Sequence, residues 1–210
     1  MRLLREYIRE ILLTEAVKGP QDLIDIPDVF IKVGDFGDKI EVEYDSGVFI
    51  DPSRPRLKSG ELEAGDRPWG HIAIGKKGGA GGYADYDLYG PCGDAFHVMG
   101  SGADHGWGPL LYDVAMEYAT MNGGGMIADR TSVSGDARKV WDYYLGNRGD
   151  VTAHQLDDLE NTLTPDIEED NCDQLIVHSS DWIKSPLSKR YTKTPTTIDA
   201  LRQAGRLIEK

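Results

Sequence analysis

The stretch at residues 94–145 constrains the fold of this chain most strongly, because it alternates short apolar runs with helical patterns. A largely apolar run at 95–99 predicts a buried strand. Four glycines then interrupt the pattern, at positions 100, 102, 106 and 108. The apolar residues that follow are spaced along one helical face, and they are Trp107, Leu110, Leu111, Val114, Ala115 and Tyr118.

The glycines fall at the N-terminus of this predicted helix. Pro109 would occupy the first turn, where its missing N–H group costs nothing. The first backbone N–H groups of a helix have no partner within it, and the helix dipole favours negative charge there. Because glycine lets a ligand approach these groups closely, the pattern predicts a site for an anion such as a phosphate.

A second helix is predicted over residues 137–145. Ser132 or Ser134 can cap it, and Asp136 suits its positive end. The apolar residues on one face are Ala137, Val140, Trp141, Tyr144 and Leu145. The short apolar segment 126–128 between the helices predicts a central strand. This alternation of strands and helices indicates the α/β (α+β) class.

The order of strand, Gly-x-Gly turn, helix, strand and helix resembles GNAT-type N-acetyltransferases. In that family a Gln/Arg-x-x-Gly-x-Gly/Ala turn holds the pyrophosphate of acetyl-CoA, and here Ala103-Asp-His-Gly-Trp-Gly108 occupies the turn. The resemblance covers about a quarter of the chain. It implies an acyl-CoA N-acyltransferase-like mixed sheet flanked by helices, with acetyl-CoA as cofactor. The acceptor would be an amine-bearing small molecule or protein.

The resemblance also implies roles for individual residues. A backbone amide near Val98 would polarise the thioester carbonyl. His97, Asp94 or Asp129 would accept a proton from the amine through a water molecule. Tyr144 or Tyr143 would protonate the departing thiolate, since a phenol has an ordinary pKa of about 10. The implied cofactor-binding residues are Val98, Gly100, Ala103, His105, Gly106, Trp107 and Gly108.

Structural roles are the alternative for the same residues. His97 would then be an ordinary strand residue, Tyr144 a core residue and Asp129 a loop cap. Two positions also depart from the family pattern: Ala103 replaces Gln or Arg, and Trp141 stands where the catalytic Tyr is expected. These departures support a second hypothesis, a catalytically inactive bacteriophage virion or internal head protein that retains the fold.

The N-terminal segment 1–18 bears on that second hypothesis. Residues 1–15 form an amphipathic helical pattern. Leu13-Thr14-Glu15 resembles the Leu-x-Glu sites that prohead proteases of tailed phages cut, and the helix resembles a capsid-targeting segment. Residues 1–15 would then contact phage head proteins. A helix that packs on the domain, or binds another partner, is the alternative.

Charge and cysteine content exclude some classes of function. The net charge of −13 argues against a nucleic-acid partner and against an anionic membrane surface. No apolar run reaches the length of a membrane span, and no signal peptide is evident. Cys92 and Cys172 lie far apart without metal-like spacing, which predicts two free thiols, no metal site and a reducing interior. The expected location is host cytoplasm or virion interior.

The remaining patterns predict further strands and the domain limits. A hairpin is expected from 29–33 and 40–44, and further strands at 48–50, 71–74, 151–156 and 174–177. Glycine-rich 76–82 is expected to be a hairpin loop. Residues 19–184 are predicted to form the domain. Residues 185–210 are predicted to form a tail with a short helix that contains Ile198, Leu201 and Leu207.

Overall fold

The structure is a computed structural model, and it describes residues 17–45, 67–76, 90–104, 106–174 and 182–210. These ranges contain four helices: α1 (Pro20–Ile24), α2 (Gly108–Asn122), α3 (Gly135–Asn147) and α4 (Thr196–Gln203). They also contain eight strands: β1 (Phe30–Asp35), β2 (Lys39–Asp45), β3 (Gly70–Gly75), β4 (Phe96–Ala103), β5 (Met126–Ile127), β6 (Val151–Gln155), β7 (Lys189–Lys193) and β8 (Leu207–Glu209).

The strands form one mixed sheet in the order β6-β7-β5-β4-β3-β2-β1-β8. Strands β1 to β4 are antiparallel neighbours, whereas β4 with β5 and β1 with β8 are parallel. The predicted mixed α/β class is therefore confirmed. The predicted hairpin is also present, and in β2 the apolar Ile40, Val42 and Tyr44 are buried while Glu41 and Glu43 are exposed.

Helix α2 is more deeply buried than its sequence pattern predicts. Ten successive residues, from Leu110 to Ala119, are buried, including the charged Asp113 and Glu117. The helix contacts β2, β3 and β7 of the sheet, and it also contacts α4. The helix lies between the sheet and another helix, so both of its faces are buried. Its buried acidic side chains therefore require hydrogen-bond or ion-pair partners.

Strand β4 continues through the glycines that were expected to interrupt it. The expectation that the strand ends before Gly100 is wrong, because β3 pairs with β4 from His97 to Ala103. The register shifts by one residue at Met99, which is a bulge in the ladder. Glycine is tolerated here because the hydrogen bonds of the ladder determine the backbone conformation.

The C-terminal segment has a larger role than that of a tail. Strand β7 lies between β5 and β6, and β8 pairs with β1 at the opposite edge of the sheet. Leu207, predicted to lie in the last helix, belongs to β8, so that prediction is wrong. The helix ends because Gly205 has a φ of 64°, the left-handed conformation typical of a residue just after a helix.

Several predicted segments lie outside the described residues. These are the N-terminal helix at 1–15, the strand at 48–50, and almost all of the glycine loop at 76–82 and the strand at 174–177. The strand predicted at 151–156 is confirmed as β6, and the one at 126–128 as β5. In the parts of the chain that the structure describes, no helix is both long enough and apolar enough to cross a bilayer.

The two cysteines are joined, which corrects the prediction of free thiols. Cys92 and Cys172 form a disulfide across 80 positions of sequence, with their Cα atoms 4.6 Å apart. Both side chains are buried in a small cluster with Ile127 and Leu156. The prediction failed because separation along the chain does not measure distance in the fold. Disulfides are rare in reducing compartments, so the bond also counts against the predicted reducing interior.

Candidate functional site

The second half of β4 is open along the edge that faces β5. Strand β5 pairs with β4 only at Phe96 and His97, and no strand of the described chain pairs with β4 on that side beyond His97. Gly100 and Ser101 are exposed although β4 is a central strand. An ideal Cβ on Gly100 would meet no atom of the described residues within 4 Å. The open segment, from Val98 to Ala103, is about 17 Å long at about 3.3 Å per residue.

The turn after β4 is held on both sides by hydrogen bonds. The Asp104 N–H donates to the carbonyl O of Trp69 at 2.9 Å, and the Trp69 N–H donates to Asp104 Oδ2 at 2.7 Å. The carbonyl O of Gly106 accepts from the Lys18 N–H at 2.9 Å. Gly106 has a φ of 82°, which favours glycine at this position. The turn is therefore preformed. His105, also predicted here, lies outside the described residues.

Helix α2 starts directly after this turn, as predicted. Gly108 is its first residue and Pro109 its second, and no side chain of the described residues caps this end. Trp107 is buried, and its carbonyl O accepts a hydrogen bond of 2.7 Å from the Tyr44 hydroxyl. The two rings contact each other edge to face, with centroids 5.7 Å apart. Trp107 thus anchors the start of the helix, and the backbone N–H groups beside it carry the positive end of the dipole.

The structure places His97 and Asp129 near each other, at the end of the paired part of β4. Burial lowers the pKa of His97, while the Asp129 carboxylate acts to raise it and Arg130 to lower it. The Asp129 carboxylate accepts hydrogen bonds of 2.7 Å from both the N–H and the hydroxyl of Thr131. Asp129 therefore caps its own loop, as its alternative interpretation predicts. A neutral His97 still suits a proton acceptor.

Tyr144 lies in the core, and this position counts against its predicted role as the proton donor. Its ring is 2% exposed, and its hydroxyl donates to Asp113 Oδ1 at 2.7 Å. Burial and the Asp113 carboxylate raise the pKa of Tyr144 well above its ordinary value, which makes it a weaker acid. Tyr143 is partly buried, with the Arg148 guanidinium 5.7 Å from its ring centre. Trp141 packs between Tyr112 and Tyr191.

A hydroxyl pair that the sequence did not indicate lies on the open half of β4. Ser101 Oγ is 2.9 Å from the hydroxyl O of Tyr112, which belongs to α2. Burial raises the pKa of Tyr112, and the hydrogen bond with Ser101 partly opposes this shift. The contact cannot be predicted from sequence spacing, because the two residues are eleven positions apart and the glycine turn lies between them.

A largely buried ionic network joins α2 to the segment that follows α3 and to β7. Arg148 donates to both carboxylate oxygens of Asp113, at 3.1 and 3.0 Å. Lys193 forms an ion pair with Glu117, and both side chains are fully buried. Asp150 links the two pairs, with Oδ2 3.3 Å from Lys193 Nζ. The Arg148 guanidinium holds the pKa of Asp150 well below its ordinary value. This network supports the helix that carries the open turn.

The described residues hold no cluster of three or more His, Cys, Asp or Glu side chains arranged to bind a metal ion. Comparison of the chain with protein-family models, with curated proteins and with solved structures gave no match. The functional interpretation therefore depends on the geometry of the site itself.

Proposed function

We propose that this protein is an acyl-CoA-dependent N-acyltransferase that transfers an acyl group to an amine, with coenzyme A bound along β4. One observation carries the proposal: the open half of β4 leads directly into a glycine turn at the N-terminus of α2. The order β4, turn, α2, β5, α3 is also the order on which the resemblance to GNAT-type N-acetyltransferases is based.

The open segment fits such a cofactor at both of its ends. The backbone edge from Val98 to Ala103, with which no described strand pairs on the side of β5, offers N–H and C=O groups to an extended ligand with amide groups, as the pantetheine arm of coenzyme A has. The N–H groups of Gly106 and Gly108 would hold the pyrophosphate. No acidic residue lies in the first turn of α2, so the dipole is not already neutralised there. The departure at Ala103 leaves this turn without the Arg or Gln of the family pattern.

The other roles fall to His97, at the paired end of β4, and to Ser101, in the open half of β4. When bound, the cofactor would supply a thioester carbonyl for attack by an amine. His97 would accept the amine proton, and its lowered pKa keeps it neutral near pH 7. Ser101, hydrogen-bonded to Tyr112, would hold a proton at Oγ on the open half of β4. We assign protonation of the departing thiolate to this pair rather than to Tyr144, because the hydroxyl of Tyr144 already donates its hydrogen bond to Asp113.

Isothermal titration with coenzyme A and acetyl-CoA tests the proposal through Gly108. A Cβ at this position would lie 3.8 Å from that of Ala103, which is ordinary contact. In Gly108→Glu the new carboxylate interacts favourably with the positive end of the helix dipole, so the melting temperature should be unchanged or higher. The same carboxylate should repel a pyrophosphate. We expect micromolar binding by the native protein and a loss of about tenfold or more in Gly108→Glu.

Gly108→Gln is the matched control, because it has nearly the same size without the charge. It should bind coenzyme A more tightly than Gly108→Glu does. A second pair of variants tests the open half of β4. Gly100→Val should weaken the binding of coenzyme A. Gly149→Val should not, although an added Cβ there also meets no described atom within 4 Å. The absence of both heat and a thermal shift at millimolar coenzyme A would refute the proposal. The virion hypothesis rests on Ala103, on Trp141 at the position expected for Tyr and on residues 1–15. The mass of the protein from purified particles would test it, since loss of residues 1–15 would favour that role.

A further inference from the structure

The loop after β6 exposes three large apolar side chains. Leu159, Leu163 and Ile167 lie within nine residues of sequence and are 45%, 41% and 47% exposed. Single exposed apolar residues are ordinary, but a group of them rimmed by charged residues is typical of an interaction surface. We refer to residues 157–171 as the acidic loop.

Hydrogen bonds hold the acidic loop in one conformation. The carboxylate of Asp157 is buried, and it accepts from the N–H of Leu163 at 2.9 Å and from the N–H of Thr164 at 2.6 Å. The disulfide between Cys172 and Cys92 ties the end of the loop to the segment before β4. The loop that carries the three apolar side chains is thus preformed, which lowers the entropy lost when a partner binds.

The charge around these side chains indicates what kind of partner fits. Eight of the 17 residues at positions 157–173 are Asp or Glu, and none is Lys or Arg. Glu160, Glu168 and Glu169 are exposed. Glu160 and Glu168 directly follow Leu159 and Ile167 in sequence, so a partner that covers these apolar side chains would lie within about 8 Å of carboxylates, the Debye length at physiological salt. An acidic partner would be repelled, and a neutral one would desolvate carboxylates without pairing them. Lys and Arg side chains would pair with them.

We propose that the acidic loop is a docking surface for a cationic amphipathic polypeptide segment. Apolar side chains of the partner pack on Leu159, Leu163 and Ile167, and its Lys or Arg side chains pair with the surrounding carboxylates. A helix with one apolar and one basic face has this chemistry. The proposal is independent of the coenzyme A site, because the disulfide places the loop at the start of β4 and the glycine turn lies at its end.

Fluorescence anisotropy with a labelled Leu/Lys peptide of about five helical turns tests the proposal. One control peptide has the same composition in an order without an apolar face, and another carries Glu in place of Lys. We expect the folded full-length protein to bind the amphipathic Leu/Lys peptide with a micromolar Kd that rises with salt. The triple variant L159S/L163S/I167S should raise that Kd about tenfold or more.

A charge variant and a matched apolar control complete the experiment. E160Q/E168Q/E169Q should weaken binding and flatten its salt dependence, while Asp157 is left intact to hold the loop. Phe36→Ser removes another exposed apolar side chain, 67% exposed and outside the loop, and should leave the Kd unchanged. Equal binding of the scrambled peptide, an unchanged Kd in the triple Ser variant, or displacement of the peptide by micromolar spermine or calcium would overturn the proposal.

Discussion

Removal of the Cys92–Cys172 disulfide should lower the free energy of unfolding by about 4 kcal/mol. The bond closes a loop of about 80 residues, so its loss enlarges the ensemble of the unfolded chain. Both cysteines are buried beside Ile127 and Leu156, and the bond joins the acidic loop to the segment before β4. Urea denaturation should show this loss both for the Cys92→Ala/Cys172→Ala variant and for the native protein with a reductant.

The reductant itself supplies the control for this prediction. It should not change the urea midpoint of the Cys92→Ala/Cys172→Ala variant, which has no bond to break. Mass spectrometry of the native protein after alkylation in denaturant without reductant should show two unmodified cysteines. Two alkylated cysteines, or equal stability with and without the reductant, would contradict the prediction.

The substitution Lys193→Met should lower the free energy of unfolding by about 3–5 kcal/mol. Lys193 and Glu117 are both fully buried, so the substitution leaves a carboxylate without a cation in the core. Glu117 also accepts hydrogen bonds from the N–H groups of Thr197, at 2.8 Å, and Ile198, at 2.7 Å, at the start of α4. Urea denaturation measures the loss, and part of it should return in Lys193→Met/Glu117→Gln, which removes the unpaired charge.

Lys139→Met is the matched control, because Lys139 pairs with Asp136 on the surface, where the two side chains are 72% and 92% exposed. An exposed pair of this kind contributes about 0–1 kcal/mol, so the control should change the urea midpoint little. A loss for Lys193→Met as small as that for Lys139→Met would show that the buried pair does not stabilise the fold.

Local sequence patterns predict some features of the candidate site and not others. The glycine turn, the start of α2 beside Pro109 and a cap of α3 at Ser132 or Ser134 follow from spacing and backbone preference. The structure has all three, with Ser134 as the cap. The hydroxyl pair of Ser101 and Tyr112 has no local signal, since the contact depends on how α2 lies across the sheet. Burial of Tyr144 depends on the same packing.

Local sequence patterns suffice to predict the mixed α/β class, the β1–β2 hairpin, helices α2 and α3, and the glycine turn between β4 and α2. Periodicity and turn chemistry are properties of neighbouring residues, so they can be read without the fold. Three features depend instead on contacts between distant segments: β7 enters the sheet beside β5, no described strand pairs with β4 beyond His97 on the side of β5, and the two cysteines meet. These contacts join distant parts of the chain, and they form because packing and backbone pairing select among many possible partners.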